Sequence, residues 1–231
     1  MSGISEWAPP RAAARVRAKV REAGPGYTGF LVLQRLLPDS VRFHPLVLTA
    51  RRVTRDEPAA LRGVRWGTRD DLARLPVRPD LRHPLAERFD SGERFCVLED
   101  GDRVLAYVWY RLGPYAHEEF GLRFLVRPRQ VWGSDGYVVR EGRGRGLGSR
   151  LFSTAPSLLE QGGHELVLSI IDRPNRNMAR LQRATGAVHV ADLLVLRVGN
   201  VILLRARHGG RARWHLGRGT IPLSVRGAAL A

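Results

Sequence analysis

Residues 137–151 change from a strand pattern to a glycine-rich run and then to a helix pattern within a few positions. Tyr137, Val138 and Val139 suit a β-strand, and apolar residues from Leu147 to Leu159 recur at helical spacing. Four glycines lie between or just inside these segments: Gly142, Gly144, Gly146 and Gly148. Because the first-turn amides of a helix have no intrahelical acceptor, this order of elements predicts an α/β fold with an anion-binding loop.

The glycine spacing excludes two common phosphate-binding motifs. A mononucleotide P-loop needs a lysine after its last glycine, and a dinucleotide fingerprint needs glycines at relative positions one, three and six. No lysine follows these glycines, and the sixth position is Leu147 when counted from Gly142 or Ser149 when counted from Gly144. We therefore expect an anionic ligand of another kind.

Two motifs carry a resemblance to a known family. Arg143-Gly-Arg-Gly146-Leu-Gly148 resembles the acyl-CoA signature Arg/Gln-x-x-Gly-x-Gly/Ala of the GCN5-related N-acetyltransferase (GNAT) superfamily, and Asn175 precedes Gly186 at the separation typical of that superfamily. The resemblance extends from about residue 60 to residue 205 and implies a GNAT acyltransferase fold, a mixed central sheet flanked by helices. It also implies transfer of an acetyl or other acyl group from acyl-CoA to an amine by direct attack in a ternary complex.

The same resemblance implies a set of cofactor-binding residues. The loop amides would bind the diphosphate of acetyl-CoA or another acyl-CoA, and the pantetheine arm would pair with the preceding strand. The residues implied are Tyr137, Val138, Val139, Arg143, Gly144, Arg145, Gly146, Leu147, Gly148, Ser149 and Asn175. No metal is implied.

The chain departs from the superfamily pattern at Gln182. The superfamily often has a tyrosine there, seven residues after the asparagine, which protonates the departing thiolate; Gln182 cannot act as such an acid. Either another group such as Tyr137 or a water replaces it, or the thiolate leaves unassisted, or the protein binds acyl-CoA without rapid turnover. Ala187 also replaces an aromatic residue common after the glycine.

Acidic residues between 112 and 136 are the candidates for proton transfer from the acceptor. In this superfamily the acceptor site is built partly from strands and loops near the cofactor strand. Glu118 or Glu119 and Asp135 are the acids best placed in sequence, and His117 could share the role. The hypothesis assigns Glu119 and Asp135 as catalytic; the alternative for each is a solvent-facing acidic turn or a strand cap.

Three segments are predicted along the 231 residues. Residues 1–59 form an N-terminal extension, with a basic helix over 9–23 and then a helix and an extended segment packed on the core or on a second subunit. Residues 60–206 form the acyltransferase domain, and residues 207–231 a basic, partly disordered tail.

Patterns within the domain predict its elements. Strands are expected over 61–67, 94–99, 104–111, 137–139, 165–171, 188–197 and 201–206. Helices are expected over 69–75, capped by Thr68, over 81–89, after Gly146 and after Pro174. Pro156 should kink or divide its helix because proline lacks a backbone donor.

Charge and composition indicate partners and location. The net charge of +16 lies mostly in the two terminal segments. Basic flanks would suit an acidic partner such as an acyl-carrier protein, a nucleic acid or an anionic membrane surface, and the alternative is a plain solvated surface. Among these partners we favour the acyl-carrier protein over nucleic acid. An acyl-carrier-dependent N-acyltransferase and a non-catalytic acyl-CoA-binding protein therefore stay open, as does a homodimer. The single Cys96 excludes an intramolecular disulfide, and no apolar run suggests a transmembrane segment, so a cytoplasmic protein is expected.

Overall fold

The structure, a computed structural model, describes residues 20, 25–38, 40–53, 63–76 and 85–224. The α-helices whose bounds it gives are α1 (Pro25–Leu36), α2 (Leu85–Asp90), α3 (Leu147–Glu160) and α4 (Arg176–Ala184), and short 3-10 helices cover Asp70–Arg74 and Arg140–Gly142. The strands are β1 (Val41–Arg52), β2 (Val64–Trp66), β3 (Arg94–Asp100), β4 (Arg103–Leu112), β5 (Tyr115–His117), β6 (Leu122–Leu125), β7 (Gln130–Val138), β8 (Leu166–Asp172), β9 (Val188–Val198), β10 (Val201–His208), β11 (Arg211–Arg218) and β12 (Ile221–Ser224). The predicted basic helix over 9–23 lies outside these residues, apart from Val20.

Nine strands form one mixed sheet in the order β11-β10-β9-β1-β8-β7-β4-β3-β2. Neighbouring strands are antiparallel except for β7 and β8, which are parallel and are connected through α3. The chain therefore has the predicted α/β class, a mixed sheet flanked by helices. The hairpin expected from 94–111 and the strands expected over 165–171, 188–197 and 201–206 are present within a few residues of the predicted ends.

Strand β1 lies in the middle of this sheet, between β8 and β9. The sequence predicted an extended segment packed on the domain or on a second subunit. Instead, Leu46, Leu48 and Ala50 point to one face of the sheet and are buried there. The boundary predicted at residue 59 would therefore place β1 in one segment and the other strands of its sheet in the next.

Residues beyond 206 also form strands where an appendage was predicted. The turn at Gly209 and Gly210, whose φ angles of 54° and 79° suit a tight hairpin, connects β10 to its partner β11. Strand β12 returns to pair in parallel with β6 in a second, three-stranded sheet of order β12-β6-β5. The last seven residues, 225–231, are outside the described part.

The two faces of the large sheet are covered differently. On the α3 face, Leu151, Phe152 and Leu159 of α3 pack on the sheet. On the β6 face, Leu122 and Phe124 of the small sheet pack on Leu46 and other residues of the central strands, and α2 with the first 3-10 helix covers β3 and β4. Strands β5 and β6 lie in residues 112–136, for which the sequence patterns predicted no strand.

The helix predicted over 69–75 is a 3-10 helix, and its cap differs from the prediction. The Asp71 carboxylate accepts hydrogen bonds from the Thr68 amide at 2.8 Å and the Thr68 hydroxyl at 3.0 Å. Arg65 and Arg74 also donate to Asp71, at 2.6 Å and 2.9 Å. The hydrogen bonds from Arg65, with those from Thr68, hold the pKa of the buried Asp71 carboxyl well below its usual range.

Pro156 lies inside α3, which continues through it as one helix. A residue with an amide at position 156 would donate to the carbonyl of Phe152, four residues earlier. The buried guanidinium of Arg51 on β1 donates to that carbonyl in its place. A side chain more than a hundred residues away thus satisfies the acceptor that proline leaves open, which explains why the predicted division of the helix does not occur.

Candidate functional site

The parallel strands β7 and β8 separate after a short paired segment. Their register covers only Gln130 to Trp132 on β7 and Leu166 to Leu168 on β8. Beyond it, residues 133–138 pair with β4 alone, and residues 169–172 pair with β1 alone. We call the resulting opening in the sheet, between residues 133–138 and 169–172, the split.

A bulge in β7 accompanies the split. The register between β4 and β7 shifts at Val108 and Trp109, and Asp135, the extra residue, has a φ of 28°. Bulges bend a strand and increase its twist, which turns β7 away from β8. The next residue must be small, because a Cβ at Gly136 would lie 2.4 Å from Cζ of Phe152 on α3.

The glycine loop lies at the end of β7 and leads into α3. Gly144 and Gly146 have φ angles of 76° and 77°, which glycine adopts without strain. The first helical hydrogen bond runs from the Arg150 amide to the Gly146 carbonyl at 2.9 Å. The amides of Leu147, Gly148 and Ser149 therefore have no acceptor inside the helix.

The arginines of the loop differ in their contacts. Arg143 lies over the ring of Tyr137 at 5.5 Å and donates to the Val138 carbonyl at 3.2 Å. Partial burial lowers the pKa of the Arg143 guanidinium. The Arg145 side chain is exposed. Val139 follows the strand, and its amide donates to the Leu105 carbonyl at 2.9 Å.

The loop meets the requirements of a diphosphate site. It offers three first-turn amides and two arginines, and these are the groups that bind phosphate oxygens. Among the described residues, no heavy atom outside the neighbouring positions lies within 4 Å of a Cβ built at Gly144 or Gly146, so the loop surface is open. Around Gly148 the space is tighter, since a Cβ there would lie 3.4 Å from Val138 and 3.5 Å from Leu181.

Asn175 caps α4 with its side chain. Its Oδ1 atom accepts a hydrogen bond from the Met178 amide at 3.1 Å. Gly186, with a φ of 82°, follows the end of the helix, as predicted for the second motif. Asn175 was predicted to bind the cofactor, but its side-chain oxygen is already hydrogen-bonded in the helix cap.

Asp135 belongs to a charged cluster on the β6 face of the split. Arg88 of α2, buried over the ring of Trp109, donates to Asp135 at 2.5 Å, to Ser134 at 2.9 Å and to Glu93 at 2.6 Å. The Asp135 carboxylate stays 41% exposed. Its ion pair with the buried Arg88 fixes the position of this carboxylate beside the split.

Glu119 lies across the split from that cluster. One of its carboxylate oxygens is 3.9 Å from Nε2 of His44 on β1. A series of aromatic rings, each 3.7–5.9 Å from the next, connects the two sides in the order Trp132, Tyr115, His117, Phe120 and His44. Glu118 is exposed, and its backbone carbonyl accepts from Arg197.

Asp172, at the end of β8, lies on the same side of the split as Glu119. It shares the β6 face with Leu46, its partner in the sheet, and accepts a hydrogen bond from the Tyr27 hydroxyl of α1 at 2.9 Å. Burial raises the pKa of Asp172; the negative charge of Glu119 also raises it, and the bond from Tyr27 opposes the shift. The sequence analysis missed this residue, although an acid directly after an apolar strand at the carboxyl edge of a sheet is a usable signal.

These observations define a class: a mixed α/β protein with a parallel strand pair that opens beside a glycine loop and the first-turn amides of a helix. The model of the acetyltransferase (GNAT) family matches residues 64–186, more than half of the 231 residues. The chain belongs to the GNAT family, whose general activity is acyl transfer from acyl-CoA to an amine.

The chain is also similar, at low identity, to solved structures of GNAT proteins. A protein from Novosphingobium aromaticivorans assigned to the GNAT family is 19% identical, with a TM-score of 0.47, over 66% of this chain and 64% of its own. A GNAT-family acetyltransferase from Colwellia psychrerythraea is 7% identical, with a TM-score of 0.48, over 82% of this chain and 74% of its own. No curated protein matches the chain. The assignment therefore rests on the family model.

Two further properties of the described residues concern their helices and their single cysteine. None of their helices combines the length and apolar composition that crossing a bilayer requires. Cys96, the single cysteine, is buried, and burial raises the pKa of its thiol well above the usual value.

Proposed function

We propose that the protein is an N-acyltransferase that transfers an acetyl or other acyl group from acyl-CoA to an amine acceptor, with both substrates bound at once. The observation that supports this most directly is the position of the split. It has the glycine loop at its α3 side and carboxylates on its β6 face. A thioester lying in the split would be open to attack by an amine held on the opposite face.

In this proposal the residues of the α3 side hold the donor. The amides of 147–149 and the guanidinium of Arg143 bind the diphosphate, and the edge of β7 that faces the split at Tyr137 and Val138 pairs with the pantetheine arm. Acyl-CoA supplies the acyl group as a thioester. Fixing two reactants in attack geometry can replace about 7–11 kcal/mol of barrier, so positioning is the main contribution expected from the chain.

The carboxylates of the β6 face receive the acceptor. Asp135, held by Arg88, provides the negative charge that attracts an ammonium group. Asp172 takes the proton that the amine must lose, because a carboxyl with a raised pKa is the better base near neutral pH. Glu119, the carboxylate beside it, is the second candidate for that role. This assignment keeps Glu119 and Asp135 as predicted and adds Asp172.

One observation favours a second donor. The side chains of Arg145, Arg150, Arg176, Arg180 and Arg183, at the start of α3 and along α4, are all exposed. An acidic acyl-carrier protein would find complementary charge there and could deliver the acyl group in place of CoA. The cytoplasm, where such carriers and acyl-CoA are available, remains the proposed location.

Two measurements test the proposal. Calorimetry with acetyl-CoA should give saturable binding with one site per chain, and mass spectrometry of an amine library with acetyl-CoA and longer acyl-CoA should find at least one acylated product. Binding without any product would favour the non-catalytic acyl-CoA-binding alternative. Absence of binding to CoA, together with salt-sensitive capture of an acyl-carrier protein, would favour the carrier-dependent enzyme.

A further inference from the structure

Three polar side chains from distant parts of the chain meet on the α3 face, and we call them the hydroxyl–amide cluster: Thr49 of β1, Ser169 of β8 and Gln182 of α4. The Thr49 and Ser169 hydroxyl oxygens are 2.9 Å apart. Gln182 donates from Nε2 to the Ser169 hydroxyl at 3.0 Å, and its Oε1 accepts from the Thr49 hydroxyl at 3.3 Å. Thr49 and Ser169 are buried, at 6% and 9% exposure.

Ser169 lies at the closed end of the split. Leu168 is the last residue of β8 that pairs with β7, and Ser169 is the next one. Ser169 is paired in the sheet with Thr49 of β1, so both side chains point to the α3 face, the side of the glycine loop. A ligand that enters the split from that loop and follows β7 inward would reach Ser169 at its far end.

The hydrogen bonds of the cluster leave one hydrogen available. Each hydroxyl has a single hydrogen to donate. The Thr49 hydrogen has two acceptors at 3.3 Å, Oε1 of Gln182 and the backbone carbonyl of Ser169. If it goes to either one, and Gln182 donates to the Ser169 hydroxyl, then the Ser169 hydrogen can point either to the Thr49 oxygen or into the split. Gln182 occupies one lone pair of the Ser169 oxygen and fixes the position of that oxygen.

We propose that the Ser169 hydroxyl donates a hydrogen bond to the sulfur of the departing CoA, with Gln182 and Thr49 as positioning residues. The inference rests on the proposed acyl transfer. The new C–N bond forms as the C–S bond breaks, the electron pair of that bond stays on sulfur, and the amine proton passes to the carboxylates of the β6 face. Ser169 keeps its proton and lowers the energy of the thiolate.

This role of Ser169 would replace that of the missing acid at position 182. The glutamine amide does not protonate a thiolate, but it holds a hydroxyl that can stabilise one. Hydrogen bonds to charged groups contribute about 1.5–3 kcal/mol, which corresponds to about a tenfold or larger effect on the thiolate.

The decisive experiment measures the ionisation of CoA bound to the protein, from the ultraviolet absorbance of its thiolate across pH. Bound CoA should have a higher thiolate-to-thiol ratio than free CoA. Ser169→Ala should lower that ratio about tenfold at a given pH. Ser169→Thr should keep it, because threonine retains the hydroxyl and suits a strand, and Thr49→Val should lower it by a smaller factor. Ser157→Ala, at a buried serine of α3, is the control for loss of a buried hydroxyl.

Turnover provides the second readout. Ser169→Ala should lower kcat about tenfold with the KM for acetyl-CoA unchanged, and Ser169→Thr should restore most of it. If Ser169→Ala binds CoA as the wild type does and leaves its thiolate ratio unchanged, the inference is wrong while the proposed function stands. If the wild-type protein does not bind CoA, the proposed function fails and the inference with it.

Discussion

The two faces of the split present opposite chemistry. On the α3 face the surface consists of backbone amides, glycines and arginines, which attract an anion. On the β6 face Asp135, Glu119 and Asp172 lie among aromatic rings, which suits a cationic amine. In the proposed reaction, a sheet that opens between two such surfaces would let each reactant approach from its own side. The difference suggests that variants of one face should change donor binding, and variants of the other the chemical step.

The largest expected effect is loss of donor binding in Gly146→Trp. Gly146 and Gly163 have nearly equal φ angles, 77° and 74°, and both have open space around a Cβ among the described residues. A side chain costs about 1–2 kcal/mol of backbone strain at either position, so Gly163→Trp is a matched control. Calorimetry should find no acetyl-CoA binding by Gly146→Trp and normal binding by Gly163→Trp. Equal affinities of the two variants for acetyl-CoA would show that the loop does not bind the donor.

The next effect concerns the chemical step. Asp172→Asn should lower kcat about 100-fold, because a positioned base typically contributes about 10²–10⁴-fold, while acetyl-CoA affinity stays unchanged. The wild-type rate should fall as pH drops through the raised pKa of Asp172, and the variant should lose that limb. Asp192→Asn, at a carboxylate on β9 that contacts His189, should leave the rate unchanged.

Stability distinguishes catalysis from folding in that variant. A carboxyl whose pKa is raised in the folded state binds its proton more tightly there than in the unfolded chain, so its ionisation lowers stability as pH rises. Asp172→Asn should therefore not lower the free energy of unfolding at neutral pH, measured with urea. A clearly destabilised variant would assign Asp172 a structural role.

Asp71 also lies on the β6 face, but away from the split. Its effect on stability across pH should be the opposite of that of Asp172. Its pKa is lowered in the folded state, so it contributes stability that is present above the unfolded value near 4 and is lost as pH falls. Asp71→Asn should cost about 2 kcal/mol at neutral pH and flatten the acid limb of the stability curve. The pH profile of kcat should keep its shape. A shift in that profile would mean that Asp71 also acts on the split.

The smallest effect tests the packing of α3. Arg51→Met leaves the Phe152 carbonyl without its donor, which costs about 1–3 kcal/mol for a buried acceptor. Pro156→Ala supplies an amide for that carbonyl, so the cost of Arg51→Met should be about 1 kcal/mol smaller when it is combined with Pro156→Ala. Chemical denaturation of the four proteins of the cycle measures this coupling. Additive effects would mean that Arg51 stabilises α3 in another way.

The α3 side could be predicted because its signals are local. The strand, the glycine loop and the helix start lie within residues 137–151, and backbone amides at a helix start bind anions whatever the rest of the fold. The structure places Gly146 directly before α3 and Asn175 at the cap of α4, where the two motifs indicated. Whether these residues hold acyl-CoA remains a prediction.

The β6 side could not be predicted to the same depth. Asp172 is beside Tyr27 only because β1 enters the sheet between β8 and β9, which brings α1 over the end of β8. Nothing local to residues 28–53 shows which strands they join. The position of Asp135 in the sequence was enough to make it a candidate. Its ion pair with Arg88 could not be predicted, because the two residues are 47 positions apart in the chain.

The amino-acid sequence by itself determined the α/β class, the two family motifs and the position of the glycine loop, because these depend on periodicity and on the conformations that glycine allows over short stretches. The tertiary structure decided the place of β1, the split at the Asp135 bulge, the Thr49–Ser169–Gln182 contacts and the donor for the Phe152 carbonyl. Each of these depends on which strand pairs with which, and strand pairing is set by packing between residues far apart in the chain.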